Sequence, residues 1–526
     1  MTPSAERVSN VRLVVRQRWH RRPREPGEAR LTIGVDLGAS VNLIGALVKY
    51  LSLAFVLPAA VALGYSEPVW PFVIGGAVSF ALGAGLEFLT RGKERVGPRE
   101  GFLVVAVTWF LGAALVALPY ILSSEQQLDA PLDAFFEAMS GLTTTGASTL
   151  TDIGALNHSL AMWRQFSQWI GGMGIIVLAI AVLPRLRVGG RQLFASEAPG
   201  HEFQTLTSSI RETARLMWVL YIGLTALEAS ILAFLGWTGV DPEMNLFDAV
   251  GHAFTTMPTG GFSTRARSIE AFGSASQWTI VAFMFLAGTN FVLLYGVARR
   301  RMNFLRDEEF RTYGAVLIVT SLVIFASLWA NDLFDGREAF GKAVFQTVSM
   351  TTTTGYANAD FTRWTALTSV LLVVAMFVGG MALSTAGSIK VVRHLMLTRL
   401  MRRELDQTIH PEIVRPVRFN QRVVDEPTLR ALSFFVLLYL GLFALGTIGI
   451  TIESARAGVE VTPFEAMSAV ATTIGNVGPG FGFAGPMGSF EPFSDLSKVI
   501  MIVLMWLGRL ELIPVVVLFT RRYWRA

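Results

Sequence analysis

Long apolar runs separated by short polar stretches dominate the chain. Runs near 43–63, 70–89, 101–122, 166–186, 213–236, 277–298, 312–330, 366–386, 430–452 and 496–519 each approach the roughly 20 residues that a helix needs to cross a bilayer. This pattern predicts an all-α polytopic membrane protein with about ten transmembrane helices. Basic residues fall at alternate ends of the runs. A tail holding Arg7, Arg12, Arg16, Arg18, Arg21, Arg22, Arg24 and Arg30 precedes the first run. Further clusters follow the even-numbered runs: Arg91/Lys93/Arg95/Arg99, Arg185/Arg187/Arg191, Arg299/Arg300/Arg301/Arg306, Arg399/Arg402/Arg403 and Arg521/Arg522/Arg525. All lie on one side, which the positive-inside rule makes the cytoplasm, so both termini are expected there.

Four outer segments between these runs share one plan: an amphipathic stretch with an aromatic, a small polar turn, then glycine. They are FFEAMSGLTTTGAST (Phe135 to Thr149), FDAVGHAFTTMPTGGFST (Phe247 to Thr264), FQTVSMTTTTGYANAD (Phe345 to Asp360) and FEAMSAVATTIGNVGPG (Phe464 to Gly480). They align on Gly146, Gly261, Gly355 and Gly478, and each sits between one span and the next. Such a repeat at fixed architecture predicts four helix–pore loop–helix units around one pore, with two leading helices. The expected divisions are a basic tail at 1–40, leading helices at 41–98, and repeats at 99–190, 210–305, 310–400 and 429–526, with a cytoplasmic linker at 401–428.

This arrangement suits a dehydrated cation. Irregular backbone at membrane depth is tolerated where it is buried in protein or lines a watery cavity. Carbonyls from four such segments would replace an ion's water shell. Glycine would supply positive φ at low cost, and the threonine before it an extended-favouring residue with a hydroxyl acceptor. The preceding short helix would point the negative end of its dipole at the site.

Composition narrows the choice of function. Charged residues are 16% against 52% hydrophobic, a deficit compared with the quarter usual in soluble domains. The net charge of +5 is accounted for by topology, and no nucleic-acid partner is expected. With no cysteine there is neither a disulfide framework nor a thiol site. The six histidines form no cluster at metal-ligand spacing, and His252 in a short helix reads as a packing or hydrogen-bonding residue. IGVDLGAS at 33–40 has the look of a phosphate loop, but a span begins at once. Gly171, Gly172 and Gly174 lie inside a span and make no dinucleotide turn. A membrane enzyme would need an acid–base set, and Asp129, Asp133, Glu137 and Asp152 have no matching His or Lys in sequence. A rocking transporter usually shows two halves, not four units.

Several strings resemble the Trk/Ktr/HKT superfamily of potassium transporters, and its bacterial TrkH branch in particular. They are REGFLVVAVTW (99–109), GLTTTGAST (141–149), QWIGGMGIIVLAIAVLP (168–184), TGGFST (259–264), TTTTGY (351–356), HPEIVRPVRFNQRVVDE (410–426) and GNVGPGFG (475–482). The resemblance implies potassium uptake across a bacterial inner membrane, by a homodimer with one pore per subunit. It implies a cytosolic TrkA-like regulatory ring that carries the nucleotide (ATP/ADP or NAD), no covalent cofactor on this chain, and contact with membrane lipid. Potassium would sit among carbonyls of Thr144, Thr145, Gly146, Thr259, Gly260, Gly261, Thr353, Thr354, Gly355, Asn476, Val477 and Gly478. Members with serine at the position of Gly146 favour sodium, so Gly146 implies potassium. A sodium-permeable transporter, or one coupled to protons or sodium, is the alternative within the superfamily.

Two further features carry over as a gate. GGMALSTAGSIK, with Gly379, Gly380, Gly387 and Lys390, falls where the family breaks a helix into a loop below the filter; a helix packed through small residues would fit the same string. Arg509 falls where the family places a positive constriction facing the pore; an ion pair with some carboxylate other than Glu511 is the other possibility.

Overall fold

The computed structural model describes residues 35–92, 97–123, 126–182, 210–299 and 304–524. The basic tail up to residue 34, the linker at 187–209, and Lys93, Arg95, Arg185, Arg187, Arg191, Arg300, Arg301 and Arg525 lie outside them.

The described residues are mostly helical. Six helices are long and apolar enough to cross a membrane: α1 (Leu37–Gly64), α2 (Trp70–Leu89), α3 (Arg99–Leu122), α6 (Ile210–Trp237), α10 (Glu308–Ala330) and α14 (Glu426–Ala457). Two bent pairs raise the count to eight if each is one span: α8 (Ser274–Ala287) with α9 (Phe291–Ala298), and α16 (Asp495–Arg509) with α17 (Ile513–Phe519). The two other expected spans are occupied by α5 (His158–Val182) and by the short α12 (Ala366–Phe377). Four shorter helices stand between them: α4 (Pro131–Leu142), α7 (Leu246–Thr256), α11 (Gly336–Thr351) and α15 (Pro463–Gly475). A surface helix, α13 (Val391–Ile409), leads to a hairpin pairing Arg418–Phe419 with Arg422–Val423. Its turn residues Asn420 and Gln421 have φ of 45° and 67°, as a type I′ turn requires. This small hairpin amends the all-α expectation.

The long helices bury one face and expose the rest. Val219, Ile222, Leu227 and Phe234 of α6 are exposed while Tyr221, Thr225, Glu228 and Leu232 are buried, a stripe of helical period. Exposed Ile318, Val319 and Leu322 on α10 and Phe434, Leu437 and Leu445 on α14 repeat the pattern. Contiguous apolar surface of this kind is covered by lipid in a membrane protein.

Three expected runs are not continuous helices, and the reasons are local. The run 277–298 bends by 102° at Gly288–Asn290, where Asn290 caps α9 by accepting from Val292 N at 2.9 Å and Leu293 N at 3.2 Å. The run 496–519 bends by 114° at Leu510–Leu512, where Glu511 and Leu512 both have φ of 59°, and Pro514 sits in the first turn of α17, where its missing N–H costs nothing. The run 366–386 ends at Phe377, and 378–390 contains no helix, so the packed-helix alternative for GGMALSTAGSIK does not hold.

The two leading helices pack through glycine. A Cβ on Gly83 would lie 2.4 Å from Lys49 N and 2.6 Å from Gly45 O. The Lys49–Glu87 ion pair and the bond from Asn42 Nδ2 to Glu87 O at 3.2 Å flank that contact. Gly83→Val should destabilise the protein by about 1–3 kcal/mol through overpacking. Gly85→Val, where a Cβ meets nothing within 4 Å, carries the same change in propensity and should cost far less. Thermal unfolding in detergent compares the two, and equal melting points would contradict the glycine seam.

Candidate functional site: a ring of four unwound segments

Each short helix ends in the same backbone turn. The residue after its cap is left-handed, with φ of 52° at Thr144, 56° at Thr259, 57° at Thr353 and 53° at Asn476. Two residues later comes a positive-φ glycine: Gly146 (84°), Gly261 (79°), Gly355 (77°) and Gly478 (116°). The residue between them donates its N–H back to the helix, from Thr145 to Ser140 O (2.8 Å), Gly260 to Thr255 O (2.8 Å), Thr354 to Ser349 O (2.9 Å) and Val477 to Thr472 O (2.9 Å). The left-handed residue donates to the carbonyl three before it in all four cases. These are four Schellman caps, a motif that ordinarily uses glycine at the left-handed position. Threonine there is a strained choice, at about 1–3 kcal/mol each. Cap closure overrides the β-branched preference of Thr144, Thr259 and Thr353, while Thr145 and Thr354, the threonines directly before the glycines, are not left-handed.

The four turns meet. A Cβ on Gly146 would lie 2.2 Å from Gly260 O, on Gly261 1.9 Å from Thr354 O, on Gly355 1.8 Å from Val477 O, and on Gly478 2.9 Å from Thr145 O. The contacts run from the first unit to the second, third and fourth, and back to the first. The structure thus brings together all twelve residues at 144–146, 259–261, 353–355 and 476–478 in one closed ring. The carboxyl-terminal ends of four helices converge on it, and the residues of the ring include no carboxylate.

The segment 378–390 is packed under the ring. Gly387 N donates to Thr353 Oγ1 at 2.7 Å, and a Cβ on Gly387 would lie 2.3 Å from Gly475 O. A Cβ on Gly379 would meet Gly387 O at 2.2 Å and one on Gly380 would meet Gly288 O at 2.7 Å, so the segment is folded tightly on itself and on the α8–α9 break. Met381 N donates to Gly288 O at 2.8 Å, and Phe291 N to Leu383 O at 3.2 Å. Lys390 is buried and its Nζ donates to Ala386 O. Arg509 is buried beside the segment. It donates to Thr385 O at 2.9 Å and to Gly171 O and Gly172 O at 3.2 Å each. Among the described residues its hydrogen-bond partners are carbonyls, not a carboxylate; Glu511 pairs with Arg393 instead.

The family profile of TrkH, described as a cation transport protein, matches residues 70–525. The chain belongs to the TrkH family. It is 37% identical over 494 residues to the Trk system potassium uptake protein TrkH of Salmonella typhimurium, covering 93% of this chain and 99% of that protein. It is 33% identical to the Trk system potassium uptake protein TrkG of Escherichia coli, over 92% of this chain and 98% of the relative. The crystal structure of the potassium transporter TrkH from Vibrio parahaemolyticus superposes with a TM-score of 0.82 at 32% identity, over 93% of this chain and all of that one. The TrkH family is one of transport, not of catalysis.

The TrkH-family ring has supports that the sequence reading missed. Gln168 on α5 donates to Gly260 O at 2.7 Å and accepts from Phe262 N at 3.1 Å. Asn476 Nδ2 donates to Thr145 Oγ1 at 2.9 Å and Met505 O at 3.0 Å, tying the fourth unit to the first. Arg164 pairs with Glu137 at 2.6 Å, and Lys498 with Asp133 at 2.6 Å. Two of the outer carboxylates, Asp133 and Glu137, therefore have basic partners, supplied from other helices to brace the short α4. A charge inside a span, as at Arg164, was the available signal. His252 is a bridging residue, with Nδ1 on Asp248 O at 2.7 Å and Nε2 on Ser263 Oγ at 2.9 Å.

Thr353 and Thr144 occupy equivalent turns but differ in partners. Thr353→Val should cost about 1–3 kcal/mol, because the buried Gly387 N–H loses its acceptor. Thr144 Oγ1 has no hydrogen-bond partner among the described residues, so Thr144→Val should be near neutral. Thermal unfolding of both variants checks this, and equal losses would contradict the latch.

Proposed function

We propose that this chain takes up potassium across a bacterial cytoplasmic membrane, conducting the ion along the axis of the four-unit ring. The observation that carries this reading is the ring itself: four unwound segments, closed in chain order, with glycines too close to their neighbours for any side chain. Backbone in that state at membrane depth belongs against protein or a watery path, and its carbonyls are the ligands that replace a cation's water. Family membership and the potassium uptake proteins among the relatives support the choice of ion. Gly146 at the first ring position supports potassium over sodium.

In this reading the chain makes ten spans, two leading and eight in four repeats, divided as the sequence predicts, with both termini in the cytoplasm. The segment from Gly379 to Lys390 is the gate, held by Thr353 above and Arg509 at its side. Arg509 adds a positive charge under the ring. The chain works as a homodimer in lipid, and a cytosolic TrkA-like subunit that binds ATP/ADP or NAD controls the gate. The described cytoplasmic elements, α13 and the hairpin, are too small to be a regulatory domain, which supports control from outside the chain.

Gly146→Ser tests the ion assignment. The added Cβ meets Gly260 O at a backbone of positive φ, so a ring carbonyl must turn away. A tenfold fall in potassium-over-sodium permeability needs only about 1.4 kcal/mol. That fall is expected in reconstituted vesicles, while Gly441→Ser, facing open space on α14, keeps the wild-type ratio. An unchanged ratio in a conducting Gly146→Ser protein would remove the ring from the ion path. Separately, deleting several residues within 379–390 should raise basal flux; a folded deletion with unchanged flux would leave the segment as packing only.

A further inference from the structure

Glu228 lies on the buried stripe of α6, nine residues from Trp237 and thus about 14 Å along the helix from its outer end. It is fully buried, and neither carboxylate oxygen has a hydrogen-bond partner among the described residues. Its carboxyl faces the hydroxyl of Thr256 at the end of α7 and lies near that of Tyr356. Both hydroxyls already have a carbonyl acceptor. Thr256 Oγ1 donates to His252 O at 2.8 Å, and Tyr356 Oη donates to the same carbonyl at 3.1 Å. Glu228 therefore faces hydroxyls that are shared with a backbone carbonyl, and no cation. Among the described residues, the other elements packed on α6 supply no counter-charge. On α5, Arg164 is taken by Glu137; on α7, Asp248 is taken by Arg265 and His252 by Asp248 O and Ser263; α8 and α9 carry no charged residue. Tyr221, two turns away on α6, donates to Trp169 O.

We propose that Glu228 is a proton-binding site, occupied as the neutral acid with its O–H directed at Thr256 Oγ1, and that loss of this proton disturbs the ring. An unpaired carboxylate inside a membrane is expensive and is neutralised by taking up a proton. A metal cation would need several oxygen ligands, and the described surroundings offer two hydroxyls. The route to the ring is short. Tyr356 directly follows Gly355, and its hydroxyl is held between Thr255 and Thr256 of α7 and His252 O. When pH rises and the acid ionises, charge appears beside this hub, so α6 must separate from α7 or admit water. The third and second ring segments lose their shared anchor together. Glu228 thus makes conduction dependent on pH from behind the ring.

The effect on flux rests on the reading of the ring as the ion path, whereas occupancy by a proton does not, so two measurements separate them. Infrared spectra of the full-length protein in vesicles at neutral pH should contain a carboxylic-acid carbonyl band that shifts in heavy water and is missing from Glu228→Gln. If that variant does not fold, Thr256→Val should instead move the band, because it removes the acceptor. A wild-type protein with no such band, whether its carboxylate is then held by sodium or by water, overturns the proposal, as does a band unaffected by either variant. Raising the pH should next remove the band and potassium flux together in the wild type, while Glu228→Gln keeps its flux over the same range. Identical flux profiles for the two proteins would overturn the link to the ring.

Discussion

Backbone groups inside a membrane must find partners within the protein, and the centre of this molecule is a solution to that constraint. Four helices stop halfway, and their last N–H groups are returned to their own carbonyls by a Schellman cap. Beyond each cap the chain is unwound. It survives at that depth because the four segments press together, glycine against carbonyl, in a closed ring. Remove the glycines and the ring must open, since a Cβ would stand about 2–3 Å from the neighbouring carbonyl oxygen at every position.

The same constraint explains the breaks below. Helix α8 ends at Ala287 and α12 ends at Phe377, and each break exposes donors and acceptors. They satisfy one another: Met381 N reaches Gly288 O, Val391 N reaches Gly380 O, and Phe291 N reaches Leu383 O. Arg509 satisfies Thr385 O, Gly171 O and Gly172 O, drawing three units together with one guanidinium. Buried ion pairs such as Arg164–Glu137 hold the short helices from the outside. The ring and the segment beneath it are thus joined by a small number of side-chain and backbone bonds, with Thr353 Oγ1 to Gly387 N the direct one.

Much of this was legible in the residues. Apolar runs marked the six membrane-length helices and both bent pairs, and a fourfold Thr- or Asn-containing turn with glycine marked every ring segment. All twelve ring positions named from sequence lie in the ring. The breaks were less legible, because hydropathy measures how apolar a run is and not whether its backbone is continuous; Gly288–Asn290 and Pro514 were weak cues against strong apolar averages. The left-handed turn one residue earlier, at Thr144, Thr259, Thr353 and Asn476, had no local cue, because cap closure and not β-branched propensity decides the backbone there. Partners for Arg509, Gln168 and Glu137 come from residues far along the chain, and no local pattern encodes them. Glu228 showed the one local sign available, a lone acid in an apolar run, with nothing beside it to say what it faces.

The most direct test of the central claim is the location of a heavy potassium substitute in crystals of the full chain. Rubidium or thallium should give anomalous density on the axis of the ring, coordinated by backbone carbonyls from all four segments, Thr145, Gly260, Thr354 and Val477 among them. Density confined to other sites, with none inside the ring at concentrations that support flux, would contradict the account.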